Sequence, residues 1–214
     1  MKRIFALVLA ILMMLMLIAC GNDTPQGDVS DTDAETQKAE LSRGKIEGDV
    51  YKNEFLGFEF VKPSSWVYST DEEMAAVMNV AVDNILGDKY KEALENNPAV
   101  YDMMVVDIVT RSNISVGYEN LQKTFATNIT EEQYIEAVKQ QVSGVSGMTI
   151  SFSDKLENVK LGKTEFKKCV CETEAYGVKM TQVYYLHKFD VYMASVIVTL
   201  PDGYSVADIE AMFR

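Results

Sequence analysis

Three residues in the second half of the chain could bind a soft metal or exchange electrons. Cys169 and Cys171 form a Cys-x-Cys motif in a segment that favours a β-strand, and the only histidine, His187, lies in another. Side chains two residues apart in a strand share a face, at a spacing of roughly 6 to 7 Å that strains a disulfide. The pair is therefore either two small core residues, or a redox pair or half of a metal site that Met residues or a second chain would complete. His187 is a weak candidate ligand, and we expect a packed or edge residue.

One acid interrupts an otherwise apolar run. Asp107 lies within Met103–Val109, so it is either an outward-facing or hydrogen-bonded strand residue, or a functional acid with a perturbed pKa. The sequence contains no phosphate-binding loop, EF-hand loop or recognisable catalytic set. We therefore predict no enzymatic activity and no cofactor. A hydrolase that relies on carboxylates remains an alternative.

The first twenty residues predict export and a lipid anchor. Two basic residues precede an apolar run, Ile4–Ala19, and a small residue lies before Cys20, as in secretory signal peptides. Leu17-Ile18-Ala19-Cys20 resembles the lipobox of bacterial lipoproteins. The resemblance implies cleavage after residue 19 and acylation of Cys20, with two acyl chains that anchor a protein firmly to a membrane. A retained transmembrane helix is the alternative, since the apolar run with Cys20 reaches the short end of the spanning range.

Composition divides the rest of the chain into a tether and one domain. Residues 20–47 comprise Cys20 and an acidic segment without aromatic residues, which has too little apolar surface to fold. As a flexible coil this segment would have a reach of roughly 30 Å. Residues 48–214 fit the size of a single domain and show no internal repeat.

The charge of the chain limits its partners. Lys and Arg number 20 against 32 Asp and Glu, which gives a formal net charge of -12. Such a surface repels nucleic acid and anionic lipid headgroups. We therefore expect no nucleic-acid binding, and contact with the membrane only through the lipid anchor on Cys20.

Hydrophobic periodicity predicts a mixed α and β domain. Helical spacing, with capping boxes at Thr70 and Thr130, predicts helices over 70–86, 88–96, 131–142 and 205–213. Runs of β-branched and aromatic residues predict strands over 50–56, 58–61, 101–110, 114–121, 149–153, 166–174, 178–189 and 191–200. Short joints indicate antiparallel hairpins, and two strands apolar on both faces must be covered on both sides. The predicted fold class is α+β, an antiparallel β-sheet sandwiched between helices (α/β/α).

Residues 49–60, followed by Pro63 and Trp66, resemble the start of PsbP-like domains, in which a short hairpin leads through a proline and a tryptophan into the first helix. The last strand, Ser195–Leu200, followed by a short helix is similar as well. The chain also resembles uncharacterised lipoproteins of Gram-positive bacteria and, more distantly, LpqN lipoproteins and the Ran-release-factor fold. These resemblances imply the same sandwich and a docking role, and no catalytic residue carries over.

We therefore expect a non-enzymatic lipoprotein on the extracytoplasmic face of the cell membrane that docks onto an envelope protein. Docking predicts an exposed apolar patch near a sheet edge or a helix face. The alternative is an exported protein that binds a small ligand or metal ion. Its cavity would lie between sheet and helices, lined by residues such as Trp66, Tyr184 and Tyr185.

Replacing Cys20 with serine tests the lipid anchor. We expect the Cys20→Ser chain to remain uncleaved, because the resemblance makes this thiol the acylation site on which cleavage depends. Immunoblots of membrane and soluble fractions, beside the wild type, measure the size and location of the product. A cleaved, soluble Cys20→Ser product would contradict the lipoprotein assignment.

Overall fold

The computed structural model describes residues 41–87, 89–124, 127–143, 147–175, 177–201 and 205–214. The predicted signal peptide, Cys20 and the tether up to residue 40 lie outside these ranges. No helix within the described ranges has the length and apolar character needed to cross a bilayer.

An eight-stranded antiparallel sheet is the main layer of the domain. Its strands are β4 (Trp66–Tyr68), β5 (Ala99–Asp107), β6 (Asn113–Asn120), β7 (Met148–Phe152), β8 (Glu157–Leu161), β9 (Thr164–Ala175), β10 (Val178–Phe189) and β11 (Tyr192–Pro201). They lie in the order β4-β5-β6-β11-β10-β9-β7, and β8 pairs with the first half of β9 beside β7. Strands β9, β10 and β11 form the predicted meander.

A small antiparallel sheet packs on one face of the large one. It consists of β1 (Lys45–Glu47), β2 (Val50–Asn53) and β3 (Phe58–Val61) in sequence order. The end of the chain lies along the open edge of β3, because Arg214 and Glu59 exchange backbone hydrogen bonds of 2.9 and 2.8 Å. Both ends of the domain therefore meet at this sheet.

Five α-helices and one 3-10 helix occur in the described ranges. They are α1 (Asp71–Met78), the 3-10 helix (Val82–Ile85), α2 (Lys89–Asn96), α3 (Leu121–Thr124), α4 (Glu131–Val142) and α5 (Val206–Glu210). The predicted capping boxes are present at the starts of α1 and α4, where Thr70 and Thr130 each accept a hydrogen bond from the backbone N–H three residues on.

Both faces of the large sheet are covered, which confirms the predicted α+β sandwich. One face, called the aromatic face here, packs against α1, α2, α5 and the small sheet; its core includes Phe58, Met74, Tyr90, Val116 and Ile209. The opposite face packs against α4, through a cluster that includes Tyr134, Ile135, Val138, Cys169 and Leu186. The second face is called the α4 face below.

The predicted helix over 70–86 is wrong in its second half. Helix α1 ends at Met78, because Asn79 adopts the left-handed conformation (φ 55°) and its N–H bonds back to the last turn. The chain resumes as the 3-10 helix Val82–Ile85. Val77 and Leu86, which the predicted helix would place on its apolar face, are exposed.

Residues 41–47, which we expected in the tether, are part of the folded domain. Lys45–Glu47 form β1, and the Gly44 N–H lies 3.0 Å from each carboxylate oxygen of Asp102 in the large sheet. Strand β1 is exposed along its length, so it has no buried apolar residue that could reveal it in the sequence. Short strands β4 and β8 were not predicted either.

Two hairpin glycines allow a test of close packing in this fold. Both Gly162 (φ 59°) and Gly177 (φ 77°) have a backbone conformation that strains any other residue by about 1 to 2 kcal/mol. A Cβ at Gly162 would also lie 2.6 Å from the Gly57 carbonyl oxygen and from Phe58 Cβ, whereas a Cβ at Gly177 meets nothing within 4 Å. We expect Gly162→Ala to lower the free energy of unfolding by about 1 to 3 kcal/mol more than Gly177→Ala in urea titrations. Equal losses would show that the backbone conformation alone matters.

Candidate docking site

The two cysteines lie in the core beneath α4. Cys169 and Cys171 are free thiols on the α4 face of β9, with exposed fractions of 0% and 1%. Burial raises the pKa of both thiols, that of Cys171 to about 11, so the thiolate forms of both are disfavoured. Their surroundings are those of small apolar core residues.

The structure does not bring His187 to the cysteines. Because Cys169 pairs with Tyr184, the even-numbered residues of β10 share the cysteine face, and His187 lies on the aromatic face. Its Nδ1 is 3.1 Å from the Glu165 carbonyl oxygen, and its ring packs near Phe166. Within the described ranges, no three His, Cys, Asp or Glu residues are grouped as a metal site.

The aromatic residues expected to line a ligand cavity are separated as well. Trp66 and Tyr185 are buried on the aromatic face, and Tyr184 is buried on the α4 face. The Tyr185 hydroxyl donates to Glu210 and the Tyr184 hydroxyl to Gln182. The expectation that they line one cavity is therefore wrong. Two surface grooves are lined by residues other than these three aromatic ones. The larger, of about 480 Å³, is lined by Lys52, Asn53, Glu54, Gly57, Phe58, Glu59, Lys163 and Arg214. The smaller, of about 250 Å³, is lined by Asn84, Lys89, Glu92, Ala93, Asn96 and Asn97.

Asp107 builds the turn between β5 and β6. Its Oδ1 accepts a hydrogen bond of 2.9 Å from the Val109 N–H, and its Oδ2 accepts one of 2.7 Å from the Thr110 hydroxyl. Its backbone carbonyl accepts from the Arg111 N–H, and Arg111 adopts a left-handed conformation (φ 70°). Of the two readings left open for Asp107, the structure shows the hydrogen-bonded one, in which the carboxylate fixes a turn.

The hydrogen bonds also set the charge of Asp107. Partial burial acts to raise the pKa of its carboxyl, but hydrogen bonds from the Val109 N–H, from Thr110 and from the Ser65 side chain lower it below its ordinary value. The residue lies at the end of the sheet and is 5% exposed. Asp107 is therefore ionised, and the turn intact, at neutral and moderately acidic pH.

This turn displays apolar side chains at one edge of the sheet. Ile108 and Val109 are 56% and 77% exposed, and Val67 on edge strand β4 is 49% exposed. Val67 pairs with Val106, two residues before Ile108. These three are the most exposed large apolar side chains in the described ranges, and we call Val67, Ile108 and Val109 the apolar tip. Exposed apolar side chains therefore occur at the sheet edge formed by β4 and the turn after β5.

No pattern in the sequence predicts the buried polar cluster around Asp102. Asp102 is 1% exposed and lies at a β-bulge between Tyr101 and Met103. Tyr51 donates its hydroxyl proton to Oδ2, and Asn53 Nδ2 lies 2.8 Å from the same oxygen and 2.8 Å from the Tyr118 hydroxyl. The cluster thus joins the small sheet to strands β5 and β6.

Burial dominates the electrostatics of this cluster. It raises the pKa of Asp102, although hydrogen bonds from Tyr51 and the Gly44 N–H and the nearby Arg43 charge act in the opposite direction. Burial, and then the Asp102 charge, raise the pKa of Tyr51, Tyr90 and Tyr118 well above the ordinary value. The buried Tyr90 hydroxyl makes no hydrogen bond of good geometry in the described part of the chain.

Comparisons with known proteins show only distant similarity. No protein-family model matches the chain, and no curated protein matches it. A crystal structure from Bacteroides thetaiotaomicron VPI-5482 aligns at 12% identity and a TM-score of 0.39 over 74% of this chain, and this chain spans only 44% of that protein. The solution structure of cyanobacterial PsbP (CyanoP) from Synechocystis sp. PCC 6803 aligns at 10% identity and a TM-score of 0.44, over 85% of this chain and 97% of that one.

Two substitutions should change the pH dependence of stability in opposite directions. The folded state raises the pKa of Asp102 above 3.8, so its stabilisation is complete below pH 3.8 and is lost as the pH rises through the raised pKa. The pKa of Asp107 is lowered, so its stabilisation is present above pH 3.8 and is lost as the pH falls through the lowered pKa.

Urea unfolding over about pH 2 to 8 measures both effects. We expect Asp102→Asn to remove part of the loss of unfolding free energy that occurs as the pH rises above 3.8. We expect Asp107→Asn to remove part of the loss that occurs as the pH falls below 3.8. Some decline remains in Asp102→Asn, because burial also raises the pKa of Glu119. Profiles parallel to the wild type in both variants would contradict these shifts.

Proposed function

We propose that the protein is a lipid-anchored docking module that binds a protein of the cell envelope through the apolar tip. The observation that supports this function is the rigid turn at Asp107, which presents Ile108 and Val109 in a fixed conformation. A backbone that hydrogen bonds already order loses little conformational entropy on binding, so the apolar side chains it carries suit the role of anchor residues for a partner.

The charge of the domain favours a protein partner over an anionic bilayer. Residues 41–214 contain 17 Lys and Arg against 26 Asp and Glu, so the domain is repelled by anionic headgroups. Arg111, two residues after Val109, is exposed, whereas the Asp107 carboxylate accepts hydrogen bonds within the turn. The partner that fits this arrangement has an apolar recess with a carboxylate at its rim.

The N-terminal sequence supports an anchored version of this function. With Cys20 acylated, residues 21–40 would connect the membrane to a domain that begins by residue 41. Such a connection would confine the domain near the extracytoplasmic face of the membrane and raise its effective concentration for envelope partners. Catalysis and a cofactor have no part in the proposal.

A photo-crosslinking amino acid at position 108 of the full chain tests the docking site in native membranes. Position 77 is the matched control, because Val77 is also exposed (43%) but lies on α1, away from the tip. We expect position 108 to form an adduct with one envelope protein that position 77 does not form. Lipid adducts at position 108, or equal protein adducts at both positions, would contradict protein docking at the tip.

Substitution then tests the energetic role of the tip. We expect Ile108→Ser with Val109→Ser to lower recovery of that partner about tenfold or more, because hot-spot side chains contribute about 2 kcal/mol or more. Val77→Ser with Leu86→Ser is the control, with two other exposed apolar residues, and should leave recovery unchanged. Thermal unfolding should change little in either pair, since all four residues are on the surface.

A further inference from the structure

We propose that Arg43, Gly44 and Asp102 form a mechanical clamp, which transfers load from the chain before residue 41 directly to strand β5. The clamp holds the first described residues of the domain against the centre of the fold. It rests on contacts within this chain and is independent of the docking function proposed above.

The backbone at Gly44 is the centre of the clamp. Its N–H lies 3.0 Å from both carboxyl oxygens of Asp102, a buried hydrogen-bond acceptor. A Cβ at this position would lie 2.7 Å from Cζ and from the hydroxyl oxygen of Tyr51. Only glycine therefore lets the backbone approach Asp102 this closely over the Tyr51 ring.

Arg43 adds contacts to three other parts of the domain. Its Nη2 forms an ion pair with Asp71 at the start of α1, and its Nη1 donates a hydrogen bond of 3.3 Å to the Ile85 carbonyl. Its Nε lies 3.9 Å from Asp102 Oδ1. The guanidinium thus bridges α1, the 3-10 helix and β5 at a partly buried site.

The order of elements along the chain makes these contacts bear the load first. Arg43 and Gly44 precede β1, a strand of three exposed residues that pairs only with β2. A pull on the preceding chain would peel β1 from this edge if nothing fixed its N-terminal side. Because the clamp lies between the pull and β1, the force must break the Asp102 contacts before β1 can peel.

Asp102 cannot move easily under this load. Its carboxylate is held on the inner side by Tyr51 and Asn53, and the residues that flank it in β5, Tyr101 and Met103, both pair with β6. The turn at Asp107 follows five residues later on the same strand, roughly 17 Å away. If the apolar tip docks as proposed, tension between membrane and partner runs along this one strand.

Single-molecule pulling on the unprocessed full chain tests the clamp without any partner. Handles are attached through Cys20 and through a cysteine that replaces Val109, while Cys169 and Cys171 are buried from the coupling reagent. In the wild type we expect residues 41–47 to come loose only together with unfolding of the domain. In Gly44→Ala and Arg43→Ala we expect a separate early step of roughly 20 Å, the length of seven extended residues. At a given force, residues 41–47 should come loose about tenfold or more faster than in the wild type, because the contacts with Asp102 and Asp71 are broken or strained.

Gly48→Ala is the matched control for Gly44→Ala. Gly48 lies in the turn between β1 and β2, and a Cβ there meets nothing within 4 Å, so this change strains the hairpin without touching the clamp. We expect no early step in Gly48→Ala. An early step of equal rate in the wild type, or in Gly48→Ala as readily as in Gly44→Ala, would overturn the clamp.

A second pulling geometry separates loss of the clamp from loss of the fold. With handles at residue 109 and after Arg214, residues 41–47 lie outside the loaded path. Gly44→Ala should then unfold at the wild-type force; if it fails to fold, Arg43→Ala, which keeps Gly44, decides the test. Because no partner is present, failure of the clamp and failure of docking are distinguished.

Discussion

The buried carboxylate of Asp102 is the constraint on which the arrangement of the two sheets depends. Moving an ionised carboxylate into a protein interior costs roughly several kcal/mol unless hydrogen bonds and counter-charges compensate. Here the compensation comes from β2 through Tyr51 and Asn53, and from the chain before β1 through Arg43 and Gly44. These groups can reach Asp102 only if the small sheet packs on the aromatic face. The electrostatic requirement of one residue therefore positions the first strands of the domain.

The opposite face of the sheet also has a buried acid that bonds to the layer packed on it. Glu119 of β6 is 3% exposed, and it accepts a hydrogen bond of 2.6 Å from the Tyr134 hydroxyl of α4. Burial raises the pKa of Glu119, so this contact too is made at an electrostatic cost. The start of α4 is fixed by Glu131, which accepts a hydrogen bond from the Lys188 N–H of β10. Each layer is thus joined to the sheet by a buried acid as well as by apolar packing.

The sequence predicts the parts of the fold that depend on local chemistry. The capping boxes at Thr70 and Thr130, the long apolar strands and the meander from β9 to β11 are all present, because each is specified by residues close together in the chain. The short strands β1, β4 and β8 were missed, since each of them has at most one buried residue and so shows no pattern of buried apolar residues. Asn79 interrupts a helical pattern that continues to Leu86, and a left-handed residue of this kind depends on packing around it.

The two acids of β5 show why the sequence predicts one candidate site and not the other. Asp107 follows an apolar run and precedes Ile108 and Val109, so the sequence alone singles it out as unusual. If side chains alternated strictly between the two faces along β5, residues an odd number of positions from Asp107 and Met103 would lie on the α4 face. Asp102 would then point away from Tyr51 and Tyr118. The bulge between Tyr101 and Met103 inserts one residue and turns Asp102 onto the aromatic face, where its hydrogen-bond partners lie. Because the bulge is visible only in the pairing of β5 with β6, the cluster around Asp102 follows from the register of the sheet and not from any local motif.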